Sequence, residues 1–417
     1  MHSKTNKIKR IVFHHYCFLA YSNYPHREMS SRETNPNGIC KNIPNLISSF
    51  VDTFVDYSFS GIFPPHDPTP PHEIPQTRFE KPDRLVAIGD LHGDLEKSKE
   101  AFRLAGLIDS SDRWTGGSAM VVQVGDVLDR GGDEMKILYF LERLKREAER
   151  SGGKIVTMNG NHEIMNVEGD FRYVTKKGLE EVQVWLDWYC LGNEMKSLCQ
   201  GLENVKDPYE GIPTCFPRAK AECFEGIRAR IAALRPEGPV AKRFLSKNQT
   251  VAVVGDSVFV HGGLLAEHIE YGLERINEEV RGWIGGGGGR YAPVYCRGGN
   301  SVVWLRKFSD ETPHKCDCSA LEHALSTIPG VKRMIMGHTI QDGGINGVCD
   351  DKAIRIDVGM SKGCSDGLPE VLEIRKDSGV RIVTSNPLYK EKGGESKMGL
   401  GLLVPAEHVP KQVEVEA

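Results

Sequence analysis

The middle of the chain repeats one pattern, in which a short apolar run is followed by glycine and then by charged or polar residues. The first three runs are "RLVAIGD" (84–90), "AMVVQVGD" (119–126) and "KIVTMNGNHE" (154–163). Short continuous apolar runs bounded by turn residues are typical of strands that are buried on both faces. We therefore predict three buried strands, each of which ends in a polar loop.

The segments between these strands carry apolar residues at helical spacing. "DLEKSKEAFRLAGLI" (94–108) begins with Asp94, a residue type that caps helix N-termini, and "DEMKILYFLERLKREAER" (133–150) is followed by two glycines. Strands and helices thus alternate as βαβαβ, which predicts an α/β fold with a parallel sheet and right-handed crossovers. Ligands of such sheets bind at the carboxyl ends of the strands.

Strand patterns return after residue 250 and close the predicted domain. "VAVVGDSVFVHGG" (251–263) predicts two strands joined by a turn. Further strands are predicted in "RMIMGHT", "AIRIDVGMS", "VLEIR" and "VRIVT". The stretch between the two sets of strands, about 169–250, is helical in pattern and bears tryptophans and cysteines. We predict that it forms an α-helical cap insertion beside the site.

The two ends of the chain differ from this central region. Residues 1–80 are predicted to be an N-terminal extension, with an amphipathic helix near 40–60 and a proline-rich linker after it. The domain itself is predicted over 81–390, and 391–417 resembles a solvated tail. Residues 1–28 hold five basic residues and one acid, which fits either an organelle-targeting segment or an extension upstream of a start at Met29.

Composition excludes some classes of partner. The 417 residues carry a net charge of −4, which gives no general attraction to nucleic acid or to an anionic membrane surface. No apolar run approaches the ~20 residues that are needed to cross a bilayer. We therefore expect no nucleic-acid partner and no membrane insertion.

Eleven cysteines leave three alternatives open. They could be reduced thiols, or they could form one or two disulfides in an oxidising compartment. A zinc site is less well supported, because the sequence contains no C-x-x-C pair. Translation from Met29 favours the cytosol as the compartment, whereas the basic leader or the cysteines would suit an organelle such as the mitochondrial intermembrane space.

Residues able to bind metal follow the predicted strands in five separate loops. Most are flanked by glycine, which permits the tight turns that an ion-binding loop requires. The seven residues are Asp90, His92, Asp126, Asn161, His162, His261 and His338. A single histidine of this kind is more often a core residue than a ligand, but seven such residues at five strand ends are unlikely to arise by chance.

This set of side chains is suited to divalent metals. Oxygen and imidazole ligands without thiolate favour Mn, Fe or Zn over Mg or Ca. The number of ligands exceeds what one ion needs, so we predict two divalent ions, with Mn²⁺ first and Fe or Zn as alternatives, about 3.5–4 Å apart and sharing a carboxylate. Such a pair lowers the pKa of a bound water and stabilises the oxygens of a transferring phosphoryl group.

The motifs "GDLHGD", "GDVLDRGGD", "GNHE", "HGG" and "GH", in this order, resemble the metallophosphatases of the phosphoprotein phosphatase family. The resemblance extends from about Leu85 to Val383. Within the family, "SFVDTFVDYSFSGIF" and "IDVGMSKGC" resemble the Shewanella-like branch and its plant type 2 form. The implied fold is the metallophosphatase β-sandwich of mixed sheets flanked by helices.

The resemblance also implies a role for each residue of the site. Asp129 would orient His162, which would protonate the leaving oxygen, and Arg130 and Arg306 would bind the phosphate. The implied metal ligands are Asp90, His92 and Asp126 for the first ion, and Asp126, Asn161, His261 and His338 for the second. Asp133 is interpreted only as the start of a helix.

The function implied is a metal-dependent protein phosphatase that acts on phosphoproteins or phosphopeptides. The alternatives are a dinucleotide polyphosphate hydrolase of the same fold and an inactive phosphopeptide-binding module. An inactive relative should have lost a ligand or the acid, and this sequence retains all of them. The sequence leaves open whether the substrate residue is phosphoserine, phosphothreonine or phosphotyrosine.

Overall fold

A computed structural model describes residues 36–63, 76–199, 206–289, 291–377 and 379–385. The predicted leader and C-terminal tail, and most of the proline-rich linker, lie outside these residues. Tertiary contacts divide the chain into two units, Met1–Ile47 and Ser48–Ala417. The site and both sheets belong to the second unit.

The first sheet has five strands in the order β11-β10-β2-β3-β4. Its three parallel strands are the ones predicted from the βαβαβ pattern. Strand β10 extends the sheet antiparallel to β2, and β11 pairs antiparallel with β10. The strands are β2 (Arg84–Ile88), β3 (Met120–Gln123), β4 (Lys154–Thr157), β10 (Glu370–Arg375) and β11 (Gly379–Thr384). The predicted parallel arrangement of β2, β3 and β4 is therefore confirmed. The carboxyl ends of these three strands lie at the same edge of the sheet.

The second sheet has six strands in the order β1-β5-β6-β7-β9-β8 and mixes parallel with antiparallel pairs. Its strands are β1 (Arg78–Phe79), β5 (Val251–Val254), β6 (Ser257–Val260), β7 (Arg333–Met336), β8 (Asn346–Val348) and β9 (Ala353–Arg355). One continuous hydrophobic core contains residues of both sheets, among them Val121 and Ile335, which are fully buried. Burying a side chain of this size stabilises the fold by about 1.5–3 kcal/mol.

Ten α-helices are described outside the sheets. They are α1 (Pro36–Ser60), α2 (Leu95–Leu104), α3 (Glu134–Arg150), α4 (Asn161–Glu168), α5 (Lys176–Ser197), α6 (Phe224–Leu234), α7 (Pro239–Arg243), α8 (Ala266–Tyr271), α9 (Leu273–Gly282) and α10 (Cys318–Ser326). Asp94 caps α2 as predicted, since its side chain accepts a hydrogen bond from the backbone N–H of Lys97. Helix α3 begins directly after Asp133, also as predicted.

Two local predictions need correction or completion. The third predicted strand stops at Thr157, and "GNHE" instead begins helix α4, because Gly160 is the N-cap and the Glu163 carboxylate accepts its backbone N–H. The predicted insertion is helical and contributes α5, α6 and α7. None of the described helices is long and apolar enough to cross a membrane.

The cysteines include one disulfide in the part of the chain that the structure describes. It joins Cys318 to Cys349, with Cα atoms 5.3 Å apart, and lies outside the insertion. Seven other cysteines are free thiols: Cys190, Cys199, Cys215, Cys223, Cys296, Cys316 and Cys364. Both of the main alternatives for the cysteines are therefore partly realised.

Candidate active site

Asp126 lies at the centre of the site, in the loop that follows β3. Its Oδ2 is 3.2 Å from Nε2 of His261, 3.6 Å from Nε2 of His92 and 3.8 Å from Nε2 of His162. The side chain is almost completely buried. One carboxylate is thus shared by two histidines from loops and one from the first turn of α4, as a bridging ligand would be.

The remaining predicted ligands surround the same point. The backbone N–H of His338 donates to Oδ2 of Asp90 at 3.1 Å, and Nε2 of His92 is 4.0 Å from that oxygen. Oδ1 of Asn161 is 2.9 Å from Nε2 of His261. The structure therefore brings all seven residues from the five strand ends into one buried cluster.

The backbone of the site is held in an uncommon conformation. Five site residues have positive φ, a region that non-glycine residues rarely occupy: His92 (41°), Asp126 (54°), Asp129 (69°), Arg130 (63°) and His338 (69°). Each such residue costs of order 1–3 kcal/mol, and such outliers concentrate at functional sites. The packing around these loops fixes where the side chains point.

Two glycines allow the loops to approach the carboxylates. A Cβ added to Gly160 would lie 2.2 Å from Oδ1 of Asp126, and one added to Gly337 would lie 2.2 Å from Oδ1 of Asp90. Any side chain would therefore displace a carboxylate of the cluster. The glycines of "GNHE" and "GH" are required by this close approach.

The histidines are oriented so that Nε2 faces the cluster. Nδ1 of His92 lies 3.0 Å from the carbonyl oxygen of Leu128, and Nδ1 of His261 lies 2.9 Å from that of Val124. A carbonyl partner makes Nδ1 the donor, which leaves the Nε2 lone pair free to bind a metal. Nε2 of His338 is buried and has no hydrogen-bond partner among the described residues.

The electrostatics agree with this orientation. Burial lowers the pKa of His92 to about 4 and lowers that of His338 well below its usual value, so both rings are neutral near pH 7. Burial and the neighbouring carboxylate of Asp357 raise the pKa of Asp90. Although burial alone would raise it, the pKa of Asp126 is held low by the nearby histidines, first of all His261.

These side chains fit two divalent cations that share Asp126. Two groups of three potential ligand atoms can be drawn, one with His92, Asp126 and His162 and the other with Asp126, His261 and His338. The buried Nε2 of His338 and the fixed tautomers of His92 and His261 supply unused lone pairs. The site is therefore built for a dinuclear metal centre.

His162 and Asp129 form a close pair at the edge of the cluster. Nδ1 of His162 lies 2.6 Å from Oδ2 of Asp129, and both side chains are buried. Burial alone would lower the pKa of His162, but Asp126 and Asp129 raise it above its ordinary value. A histidine held in this way can donate a proton from Nε2.

Arg130 and Arg306 line the same cavity, which has a volume of about 180 Å³. Arg306 is fixed from behind, because its Nη1 donates to the carbonyl oxygen of His338 and to Oγ1 of Thr339. The Arg130 guanidinium stacks on Tyr173, 4.9 Å from the ring centroid. Two guanidinium groups facing one small polar cavity can bind a phosphate.

Sequence reasoning missed two acids that touch the cluster. Asp357 is buried beside Asp90, and burial raises its pKa to about 6. It follows strand β9 in "IDVG", so the strand-end signal that identified the other acids was present here too. Glu163 accepts the backbone N–H groups of Asp126, Val127, Leu128 and Gly160 and thereby fixes the loop that carries Asp126.

Three further residues near the His162–Asp129 pair were also missed. Tyr173 follows α4 and its ring lies 5.1 Å from that of His162. Asn166 and Arg230 both donate to Oδ1 of Asp129. No local signal identifies them, because Tyr173 contacts Arg130, and Asn166 and Arg230 contact Asp129, across separations of 37 to 101 residues.

Comparison with known proteins gives consistent matches. The family model described as calcineurin-like phosphoesterase matches residues 83–342. The chain is 83% identical to Shewanella-like protein phosphatase 2 of Arabidopsis thaliana, an alignment that covers 93% of this chain and 100% of the relative. It is 28% identical to Shewanella-like protein phosphatase 1 of Plasmodium berghei, with 69% of each chain covered.

Solved structures agree on the architecture. A cold-active protein-tyrosine phosphatase of a psychrophilic Shewanella species aligns with a TM-score of 0.53 at 20% identity, covering 77% of this chain and 88% of that one. A second structure of a cold-active protein tyrosine phosphatase gives a TM-score of 0.51 at 21% identity, covering 72% and 76%. At this identity the likeness concerns the fold alone, which is the calcineurin-like metallophosphatase fold of mixed sheets flanked by helices.

Proposed function

Because the chain belongs to the calcineurin-like phosphoesterase family and, within it, to the Shewanella-like protein phosphatases, we infer that it is a protein phosphatase that hydrolyses phosphomonoesters on phosphoproteins. The observation that carries this function is the single buried cluster around Asp126, with the His162–Asp129 pair and two arginines at its open side. The cluster supplies metal ligands, a proton donor and phosphate-binding groups at one cavity.

For the metals, we propose Mn²⁺ as the ion at both positions, since carboxylate, amide and imidazole ligands without thiolate favour Mn, Fe or Zn over Mg. Bound metals would supply an acidified water and stabilise negative charge on the phosphoryl oxygens. The proposed ligands are Asp90, His92 and Asp126 for one ion, and Asp126, Asn161, His261 and His338 for the other.

We propose that His162 donates the proton that the leaving oxygen needs. A serine or threonine side chain leaves as a strongly basic alkoxide, so protonation from Nε2 lowers the barrier. Asp129 keeps the Nδ1 proton in place during this transfer, because its Oδ2 lies 2.6 Å from Nδ1. Arg130 and Arg306 bind the phosphate oxygens, Arg130 from the Tyr173 side of the cavity and Arg306 from the His338 side.

The test is a set of initial rates with Mn²⁺-supplemented protein. The substrates are matched phosphoserine, phosphothreonine and phosphotyrosine peptides and diadenosine tetraphosphate, and Asp126→Asn is the blank. We expect phosphate release from at least one peptide, lost in the variant, and the preferred peptide names the residue class.

Two other outcomes would change the function. Cleavage of the dinucleotide alone would make the protein a dinucleotide polyphosphate hydrolase, which uses the same fold and metal ligands. Binding of phosphopeptides without phosphate release from any substrate would make it a binding module. Cleavage of the dinucleotide alone is not expected, because the chain is 83% identical to a Shewanella-like protein phosphatase. Binding without turnover is not expected, because the sequence retains all the proposed ligands, the proton donor and both arginines.

For the compartment, we propose the cytosol, and one observation counts against it. Cys318 and Cys349 form a disulfide, and disulfides are rare in the cytosol. Thiol alkylation in acid-quenched cell extracts separates the two cases. Alkylation of both cysteines supports the cytosol, and a protected pair indicates an oxidising compartment such as the mitochondrial intermembrane space.

A further inference from the structure

The helical insertion contains one fully buried arginine that contacts an active-site residue. Arg230 lies on helix α6 and is 0% exposed. Its Nη2 donates to Oδ1 of Asp129 at 3.0 Å, and its Nε donates to Oδ1 of Asn166 at 2.7 Å. The same Nη2 is 2.7 Å from Oε2 of Glu134 at the start of α3. Arg230 therefore joins the insertion, helix α3 and the active-site loop.

Asp129 divides its two oxygens between the proton donor and this network. Its Oδ2 faces Nδ1 of His162, while its Oδ1 accepts hydrogen bonds from Nδ2 of Asn166 at 2.9 Å and from Arg230. An oxygen held by two donors cannot rotate, so the second oxygen is fixed as well. The direction in which His162 points is thereby set from the insertion.

The charges make this contact necessary as well as geometrically favourable. Asp129 and Glu134 are both completely buried, and Arg230 is the guanidinium that contacts both of them. Removing one partner of a buried ionic group leaves uncompensated charge, which the structure relieves by moving a side chain or by binding a proton. For Asp129, either response weakens its hold on Nδ1 of His162.

Arg230 has no direct access to substrate. It is buried, and it is not among the residues that line the 180 Å³ cavity, whereas Arg130 and Arg306 are. An effect of Arg230 on catalysis must therefore pass through the residues that it contacts, which on the active-site side are Asp129 and Asn166. This distinguishes Arg230 from the two arginines assigned to phosphate binding.

We propose that Arg230 is a positioning residue that holds the Asp129 carboxylate against Nδ1 of His162, so that the insertion is part of the proton-donating machinery. The proposal rests on the roles of His162 and Asp129 given under the proposed function. It adds a residue from outside the motifs that carry the family resemblance. It also gives the insertion, which contributes Tyr173 to the lining of the cavity, a role in turnover.

The experiment measures kcat and KM on a phosphoserine peptide and on 4-nitrophenyl phosphate. The latter has an activated leaving group that needs little protonation. The variants are Arg230→Gln, Arg230→Lys and Asn166→Ala, with His162→Ala as the reference for loss of the acid. Arg243→Gln is the matched control, since Arg243 also joins the insertion to α3 through carboxylates but lies away from the site.

For Arg230→Gln we expect kcat on the phosphoserine peptide to fall roughly 10- to 100-fold, part of the ~10²–10⁴ that a general acid contributes. On 4-nitrophenyl phosphate we expect less than about a threefold change, with KM unchanged on both substrates. Asn166→Ala should show a smaller loss of the same selectivity. Arg230→Lys, which keeps the cation, should recover part of it.

Equal losses on the two substrates, or the same pattern in Arg243→Gln, would overturn the proposal, because Arg230 would then act only through stability. Circular dichroism and the free energy of unfolding identify a variant that fails to fold, and Asn166→Ala then carries the test. If His162→Ala itself shows no selectivity between substrates, the assigned acid is wrong. If it does and both Arg230→Gln and Asn166→Ala do not, only the positioning role is wrong.

Discussion

Two arginines of the insertion, the fully buried Arg230 and the partly buried Arg243, pair with carboxylates of the same helix, one at its start and the other at its middle. Arg230 on α6 pairs with Glu134 at the start of α3 and with Asp129 in the site. Arg243 on α7 pairs with Glu142, further along α3, and with Asp56 on α1. Each guanidinium therefore links α3 to a second element through two carboxylates.

The residues around Arg243 lie away from the active-site cavity. Arg243 donates to both oxygens of Asp56 at 2.6 and 2.8 Å, and its guanidinium lies 4.7 Å from the ring centroid of Tyr139. The Tyr139 hydroxyl donates to Oδ1 of Asp56 and accepts from Nε1 of Trp185. None of these residues lines the active-site cavity.

The difference between the two networks lies in what the second carboxylate does. Asp56 is a residue of a packed helix, so its pairing with Arg243 holds α1 against α3 and the insertion. Asp129 is itself hydrogen-bonded to the proton donor, so the same kind of pairing aims a reacting group. Identical ion-pair chemistry stabilises the fold in one place and sets catalytic geometry in the other.

The largest effect on kcat is expected for the proton donor, His162, which the Arg230 network positions. His162→Ala should lower kcat on a phosphoserine peptide by roughly 10²–10⁴-fold, because the leaving alkoxide is no longer protonated. On 4-nitrophenyl phosphate the loss should be no more than about tenfold. Steady-state kinetics on both substrates checks this, and losses of equal size would remove His162 from the acid role.

The Arg243 network should show its effect in stability and none in leaving-group selectivity. We expect Arg243→Gln to lower the free energy of unfolding by about 2–4 kcal/mol, since it removes the cation paired with the buried Asp56 carboxylate and leaves Glu142 with only the more distant Arg146. Urea unfolding with a constant m-value measures the loss. If the folded variant changed the ratio of kcat on the phosphoserine peptide to kcat on the aryl phosphate, the Arg243 network would also affect catalysis and the distinction between the networks would be wrong.

A smaller effect is expected on the pH dependence of stability, through a third carboxylate that contacts α3. Glu181 on α5 accepts the backbone N–H groups of Met135 and Lys136 at the start of α3. Burial, together with the charge of Glu134, raises the pKa of Glu181 to about 8. The folded protein thus binds a proton that the unfolded chain, with a glutamate pKa near ~4.3, releases.

The sign follows from this difference. Between about pH 4.3 and 8 the native state holds more protons, so Glu181 lowers the free energy of unfolding as pH rises, by up to about 1.4 kcal/mol per pH unit. Glu181→Gln should remove this slope, which unfolding curves at pH 5, 6 and 7 would detect. Parallel slopes for variant and parent would show that Glu181 does not change its protonation on folding.

The sequence predicted the part of the site that depends on local signals. Asp90, Asp126 and His261 each follow a short apolar strand and stand beside a glycine. The parallel strands β2 and β3 bring Asp90 and Asp126 to one edge of the first sheet, and His261 follows β6 of the second sheet. Asp357 also follows a short apolar strand, but its nearest glycine, Gly359, is two residues away, and it was missed. The start of α4 at Asn161 was missed because its N-cap is a glycine, which the capping rules do not favour over serine or aspartate.

Long-range pairings were beyond the reach of sequence patterns. Arg230 stands in "FEGIRARIAAL", where it resembles any arginine of an amphipathic helix, and its partner Asp129 is 101 residues away. The Cys318–Cys349 pairing spans 31 residues, and eleven cysteines allow many pairings. Such pairings depend on tertiary packing, and the periodicity of strands and helices does not indicate which distant residues will be in contact.

The central claim is that the insertion and the acid act as one unit, and a double-mutant cycle tests it most directly. The cycle compares kcat on a phosphoserine peptide for the parent, Arg230→Gln, His162→Ala and the double variant. Once His162 is absent, Asp129 no longer has a proton donor to orient. Adding Arg230→Gln to His162→Ala should therefore lower kcat by no more than about a further twofold. If the two losses multiply in full, Arg230 and His162 act independently and the account is contradicted.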